Sequence, residues 1–341
     1  MSIHAVAVVP AYRPDEQIFS VIASLKDAGF SRIVAVDDGN GEACAGLFAR
    51  LSADPAVTVC THSVNQGKGR AVKTAFNLIL KEFPGCAAVT VDCDGQLSAA
   101  DARRAAELAE ERPDALILGC RDLKHTPNVP APNRFGNSAS RITIRLMTGI
   151  PYQDTQCGLR AYPPALMRRL VTLPGERFDF ENNTLLAVCR ERIPVVEFPI
   201  RVVYLPEGAY TTTFRRIRDS VIVYRNLLSF LSAPFFSFLG ASLLALLIGA
   251  GVPSPLRCGL AFFGAGLFAA GLTGFFVPRR AAFLIGASLL ASAQGAAAFG
   301  LASAGLNPAL CWLVLLLPSL AALFWTYRRL GFGPRPKLTR R

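Results

Sequence analysis

Acidic residues stop at Asp219, and the 122 residues beyond it hold no Asp or Glu but ten Lys or Arg, from Arg225 to Arg341. Removing those ten from the net charge of +12 leaves the first 219 residues close to neutral. A nucleic-acid binder would carry its basic patch on the polar part of the chain. Here the charge flanks apolar runs, so no nucleic acid is expected and membrane topology is. Histidine is scarce, at three, and none of the nine cysteines forms a Cys-x-x-Cys pair. That excludes the usual zinc spacing and gives no disulfide framework. Buried, reduced thiols in a cytosol-facing enzyme are the expectation. The N-terminus lacks a basic start, and its apolar run, residues 3–9, is too short for a signal peptide. It reads as a strand.

What is present divides into two halves. From 1 to about 210, short β-branched runs alternate with helical segments, the pattern of an α/β sheet. Strands are expected at 5–9, 33–36, 57–60, 88–91 and 116–119, and helices at 17–28, 43–52, 71–83 and 101–111. Several strands end in polar clusters: Pro10-Ala11-Tyr12, Asp37-Asp38-Gly39 and Asp92-Cys93-Asp94. Ligands of open parallel sheets bind beyond the carboxyl ends of strands, so these clusters are expected to share one cleft.

The second half reads as membrane. Phe214, Ile217, Val221, Tyr224 and Leu228 recur at helical steps, with arginines largely off the stripe. A helix over 214–229 therefore suits a bilayer surface. Four apolar segments follow at 230–250, 257–277, 281–303 and 308–327, each of about the 20 residues a bilayer requires. Four spans put both ends on one side. Arg279-Arg280 and the tail from Arg328 fall there too, which places both termini in the cytoplasm. Gly, Ala and Ser within the spans suit close helix packing, and Gln294 suits an interhelical hydrogen bond. The expected domains are 1–213, the interfacial helix 214–229, the bundle 230–328 and a basic tail 329–341.

The chemistry concentrates in a few motifs. Asp92-Cys93-Asp94-Gly95-Gln96 follows an apolar strand. Carboxylates at i and i+2 hold a hard divalent cation whose shell substrate phosphates complete. Asp37-Asp38-Gly39 reads either as a capped turn or as a carboxylate that hydrogen-bonds a nucleoside. Asn65-Gln66-Gly67-Lys68-Gly69-Arg70 lacks the Walker ending; it is a plain loop before a helix, or it offers Lys68 or Arg70 to phosphate. Asn133-Arg134-Phe135-Gly136-Asn137-Ser138 opens a helical stretch that ends near Gly149, where Arg141 and Arg145 fit a solvated face. The segment Asp154-Thr155-Gln156-Cys157-Gly158-Leu159-Arg160 is a polar loop near a site, and Phe178-Asp179-Phe180-Glu181 leads a helix.

In this order, and joined to Val8-Val9-Pro10-Ala11-Tyr12, Gly119-Cys120-Arg121 and Pro199-Ile200, the motifs cover most of residues 5–205. The chain resembles family-2 glycosyltransferases of the dolichyl- or polyprenyl-phosphate sugar transferase branch. Its apolar end resembles a GtrA-like four-span domain. The resemblance implies a GT-A (Rossmann-like) nucleotide-sugar domain followed by an all-α transmembrane bundle. It implies inverting transfer of a sugar, glucose or mannose, from a UDP or GDP donor to polyprenyl (undecaprenyl) phosphate, with Mg²⁺ or Mn²⁺. By position, Pro10, Tyr12, Glu16, Asp37 and Asp38 hold the nucleoside, with Lys68 close by. Asp92, Asp94 and Gln96 form the metal and diphosphate site. Arg121, Arg134 and Ser138 hold the acceptor phosphate. The implied location is the bacterial cytoplasmic (inner) membrane, multi-pass, with the catalytic domain inside, and a homo-oligomer is compatible with it. The alternatives are a non-catalytic scaffold or lipid-flipping subunit, and a transferase acting directly on a glycan.

Overall fold

The computed structural model describes residues 3–202, 280–307 and 336–341, and, in between, 255–256, 259–260, 262–264, 310, 314–315, 318, 321–322 and 325. The chain divides into two compact units, 1–224 with 335–341, and 225–334.

The first unit is built on β1 (Ala5–Ala11), buried along its whole length. A strand without polar alternation must be covered on both faces. Helix α1 (Gln17–Asp27) buries Ile18, Val21, Ile22 and Leu25, one stripe at steps of three and four. There follow β2 (Ile33–Asp37), a 3₁₀ turn at Gly41–Cys44, α2 (Ala45–Ser52) and β3 (Val57–Thr61). Next come α3 (Lys68–Glu82), β4 (Ala87–Thr90), α4 (Ala99–Glu111) and β5 (Leu116–Arg121). Ser98 caps α4 by accepting from the Ala100 amide. The expected strands and helices are all present, with ends shifted by a few residues.

The second part of this unit holds α5 (Ala131–Thr148), β6 (Arg160–Tyr162), α6 (Pro164–Leu170), α7 (Asp179–Glu191) and β7 (Val195–Ile200). Gly149, in the left-handed conformation at φ 78°, ends α5. Residues 338–340, read from sequence as part of a basic tail, form β8 (Leu338–Arg340). The sheet order is β3-β2-β1-β4-β6-β5-β7-β8. All neighbours are parallel except β6, which runs antiparallel between β4 and β5. The chain winds outward from β1 to β3, then returns across β1 to β4. That reversal makes a switch point, and a crevice opens at the carboxyl ends of β1 and β4.

In the second unit, α8 (Arg280–Ser303) coincides with the third expected span. Among the described residues no helix is long and apolar enough to cross a membrane. The helix expected at 214–229, the span at 230–250, most of those at 257–277 and 308–327, and 329–335 of the tail lie outside the described residues. Within this unit Gly259 and Gly295 face each other. A Cβ on either would stand 2.8 or 2.9 Å from the other's carbonyl oxygen, so only glycine permits the approach. Gln294 is buried, and its Nε2 has no partner among the described residues.

Candidate active site

Asp37 and Asp38 leave the end of β2 and turn inward. Asp37 Oδ1 accepts from the backbone N–H and the side-chain amide of Asn40, at 3.0 and 2.6 Å. Asp38 is 2 % exposed. Its Oδ1 accepts from His62 Nδ1 at 2.8 Å and the Gln66 amide at 2.9 Å. Its Oδ2 accepts from Asn65 Nδ2 at 2.9 Å and the Gly67 amide at 2.8 Å. With its carboxylate directed at the protein, Asp38 holds the 65–67 loop against the sheet. His62 in turn meets Thr74 through Nε2, which ties the same network to α3. Asp38→Asn puts an amide donor against four donors and is expected to cost about 3 kcal/mol of stability. Thermal unfolding of the purified variant measures this, and a loss below about 1 kcal/mol would contradict the network's role.

The loop delivers Lys68, the first residue of α3, to the crevice. Gly67 must be glycine: its φ is +106°, and a Cβ would lie 2.4 Å from the Glu176 carbonyl oxygen. Lys68 Nζ bridges Asp92 Oδ1 at 2.7 Å and Glu181 Oε1 at 2.8 Å. Burial by itself would release its proton, but the two carboxylates outweigh burial and hold the ammonium well above its ordinary pKa. Asp92 and Asp94 follow β4. Burial and then the Asp92 charge push the Asp94 carboxyl up to about 6. The same causes push the Cys93 thiol up to about 12, so it is inert at neutral pH. Asp94 Oδ1 accepts from the Gln96 amide at 3.1 Å.

Among the described residues no group of three or more His, Cys, Asp or Glu forms a metal cage. Two carboxylates side by side, one of them unwilling to ionise, still fit a hard cation that takes most of its shell from phosphate and water. Asp92 has Oδ1 on Lys68, and its Oδ2 stands where a Cβ on residue 158 would be crowded. Asp94 is thus the carboxylate better placed for a cation, and Gln96 steadies it through its amide.

The segment 154–160, read from sequence only as a polar loop, links three parts of the site. Asp154, wholly buried, takes the Arg121 guanidinium in two bonds, Nε to Oδ2 at 2.7 Å and Nη2 to Oδ1 at 3.1 Å. Burial would raise its pKa, but Arg121 overcomes this and holds it below the carboxylate range. Gly158 backs Asp92. Arg160 is 1 % exposed and donates to the carbonyls of Cys157, Thr155 and Glu181 at 2.8 to 3.0 Å. It clasps the loop to the first turn of α7, where Glu181 meets Lys68. Glu181, Gly158 and Arg160 were visible in the sequence as members of motifs, yet no local signal distinguished them from their neighbours.

The other expected residues are more dispersed. Pro10 is buried in β1 and Tyr12 half-buried just after it, with the Arg13 guanidinium 5.3 Å from the Tyr12 ring centroid. Glu16 is exposed and paired in two bonds with Arg50, at 2.7 and 3.0 Å. Arg134 and Ser138 lie on the exposed side of α5, with Arg134 donating to the Thr126 carbonyl at 3.3 Å. Phe135 and Ile142 on the same helix are 77 % and 60 % exposed. Asn137, on the buried side, accepts from the Thr155 amide at 3.3 Å and so joins α5 to the central loop.

Residues 6–169 match the family model described as "Glycosyl transferase family 2". The chain is 27% identical over 200 residues to an uncharacterized protein of Methanocaldococcus jannaschii, covering 58% of this chain and 80% of that one. It is 24% identical over 213 residues to the UDP-N-acetylglucosamine–dolichyl-phosphate N-acetylglucosaminyltransferase of Methanococcus voltae, covering 58% of this chain and 84% of that one. Among solved structures, S. aureus TarS 1–349 is similar at 15% identity and a TM-score of 0.40, over 97% of this chain and 90% of that one. The matched segment spans β1 through the clasped loop and Arg160, and it includes both carboxylates of the crevice. Residues 6–169 are a glycosyl transferase family 2 domain, and the protein is a family-2 glycosyltransferase.

Proposed function

We propose that the enzyme moves a sugar from a nucleoside diphosphate donor to a polyprenyl phosphate at the cytoplasmic face of a membrane, with inversion at the sugar carbon. The observation that carries the reading is the half-buried Asp92–Asp94 pair beside Lys68 at the switch point of a family-2 domain. Such a site suits a diphosphate leaving group. The lipid acceptor is supported by the name of the M. voltae relative and by α5, whose exposed face sets Arg134 and Ser138 beside Phe135 and Ile142. Apolar side chains interleaved with arginines suit a headgroup layer. The facing glycines of the second unit suit helices packed in lipid. That unit, as a GtrA-like bundle, would keep the site at the bilayer.

Asp94, with Asp92 and Gln96, would hold Mg²⁺ or Mn²⁺. The cation supplies charge stabilisation to the leaving diphosphate. Lys68, steered by Asp92 and Glu181, presents a second positive charge to the same phosphates. An acceptor phosphate is already ionised, so it needs no strong base. Arg121, fixed by Asp154, and Arg134 with Ser138 would orient it. One phosphate oxygen bonds to the sugar carbon as the bond from that carbon to the donor phosphate oxygen breaks, and the nucleoside diphosphate leaves. Positioning and charge stabilisation carry the step.

The test uses the full-length protein with Mn²⁺, undecaprenyl or dolichyl phosphate, and radiolabelled UDP-glucose, GDP-mannose or UDP-N-acetylglucosamine. Label should enter the organic phase with one donor. Label entering it with none would sink the lipid acceptor, and label on a soluble glycan would favour direct glycan transfer.

A further inference from the structure

The last residues of the chain pair with β7, and one of them, Arg340, reaches the segment that leads to Asp154. β8 pairs in parallel with β7, with Val195, Val196 and Glu197 opposite Leu338, Thr339 and Arg340. The Val195 amide donates to the Lys337 carbonyl, and the Arg341 amide to the Glu197 carbonyl, both at 2.9 Å. Glu197 is 1 % exposed, and an isolated carboxylate at that depth is costly. Its side chain meets Cys120 and two further groups. Its Oε1 accepts from the Gln153 amide at 2.7 Å, and its Oε2 from Arg340 Nε at 3.3 Å. Arg340 also donates through Nη2 to the Pro151 carbonyl at 2.9 Å. Arg340 and Glu197 therefore grip residues 151 and 153 from two directions. The next residue is Asp154, whose carboxylate holds the Arg121 guanidinium and backbone amide.

We infer that Arg340 is a positioning residue for transfer: through Glu197 and the 151–153 backbone it fixes the Asp154–Arg121 pair, and so the phosphate-binding side of the site. Assignment of that side to the acceptor rests on the function proposed above. The donor side has separate supports, in Asp38 and Lys68, and does not depend on β8. The C-terminal strand is thus a part of the catalytic unit supplied after the whole second unit has been made. It also covers the outer edge of β7, an edge that would otherwise invite pairing with another chain.

The experiment compares full-length wild type, Arg340→Ala, Arg340→Lys and Thr339→Ala. Thr339→Ala keeps the ladder and the Arg340 contacts. The first readout is hydrogen exchange, which needs no substrate. In Arg340→Ala, the amides of Arg121, Gln153 and Gln156 should exchange about tenfold faster, while those of Gln66 and Gly67 hold. The second readout is the split between substrates. Arg340→Ala should raise the acceptor KM about tenfold and leave the donor KM within about twofold. Arg340→Lys should restore part of both effects, and Thr339→Ala should show neither. Unchanged exchange in Arg340→Ala overturns the clamp. Faster exchange with an unchanged acceptor KM overturns its role in transfer, and so does a parallel rise of both KM values. A wild-type enzyme that labels no lipid phosphate refutes the acceptor reading alone, and the exchange comparison then decides the clamp.

Discussion

Asp94→Asn is expected to lower kcat/KM by about a thousandfold or more, because the proposed function gives Asp94 the metal at the leaving diphosphate. The same change makes the metal-free protein more stable at neutral pH. The reason lies in the site's own charge. Burial and the Asp92 carboxylate raise the Asp94 pKa from 3.8 to about 6. The folded state therefore holds a proton that the unfolded state has released between those two values. Stability associated with Asp94 is fully present below about 4 and is lost as pH rises through about 6. Ionisation then costs the fold up to about 2 kcal/mol, after allowance for solvent screening. Asn avoids that cost. Melting of wild type and Asp94→Asn without metal should coincide near pH 4 and diverge above pH 6, with the variant the more stable. Mn²⁺ should stabilise the wild type and leave the variant unmoved. If Asp94→Asn keeps activity within about tenfold of wild type, the carboxylate does not hold the metal.

Gly158→Ala is the second large effect, and it comes from one methyl group. A Cβ at 158 would lie 2.4 Å from Asp92 Oδ2 and 2.8 Å from its Cγ. The Asp92 carboxylate is tied in place. On its far oxygen it is bound to Lys68 at 2.7 Å, and Lys68 is bound in turn to Glu181. The backbone at 158 is pinned as well, because Thr90 Oγ1 donates to the Gly158 carbonyl at 2.6 Å. The next residue accepts from the Gly119 amide at 3.0 Å. Relief must come through displacement of Asp92, with its charge partner and its neighbour Asp94. An overpacked position of this kind costs about 1–3 kcal/mol of stability. Because the proposed function places Asp92 at the metal and diphosphate, the loss in kcat should reach about a hundredfold. Single-turnover transfer at saturating donor separates the two effects. A folded Gly158→Ala enzyme with kcat within about threefold of wild type would show that Asp92 does not need its present place.

Most of the local structure was legible in the amino-acid order. The runs at 5–9, 33–36, 57–60, 88–91 and 116–119 all became strands, because short, continuous β-branched segments between turn residues have few other uses. The polar ends of β1, β2 and β4 were placed at one crevice by the parallel pattern alone. Three strands escaped notice: β7, read only through its Pro199-Ile200 end, and two short ones. β6 and β8 have three residues each, too few for any period to show. β6 is a strand because β4 and β5 flank it, and β8 because β7 offers an edge to residues more than 130 positions later.

The site divides in the same way. Asp92, Asp94 and Asp38 stood out in sequence as carboxylates at strand ends, and Lys68 as a cation in a glycine-rich loop before a helix. Their duties did not. Asp38 looked like a ligand for a nucleoside, and the fold gives its carboxylate to four donors of the protein. Glu181 looked like an acidic residue favouring a helix start, and it proved to be half of the cradle for Lys68. Arg121 looked free to meet a phosphate, and Asp154 already holds it.

By itself, then, the sequence determined the α/β alternation, the acidic strand ends and the charge asymmetry of the apolar half. These are local or compositional properties, set by side-chain period and residue count. Only the tertiary structure decided which carboxylate meets which cation, why Gly158 is glycine, and that Arg340 reaches the segment before Asp154. Those facts depend on contacts between residues up to 189 positions apart, as in Arg340 and Pro151. Distant contacts exist only once the sheet has chosen its strand order, and no local pattern encodes them.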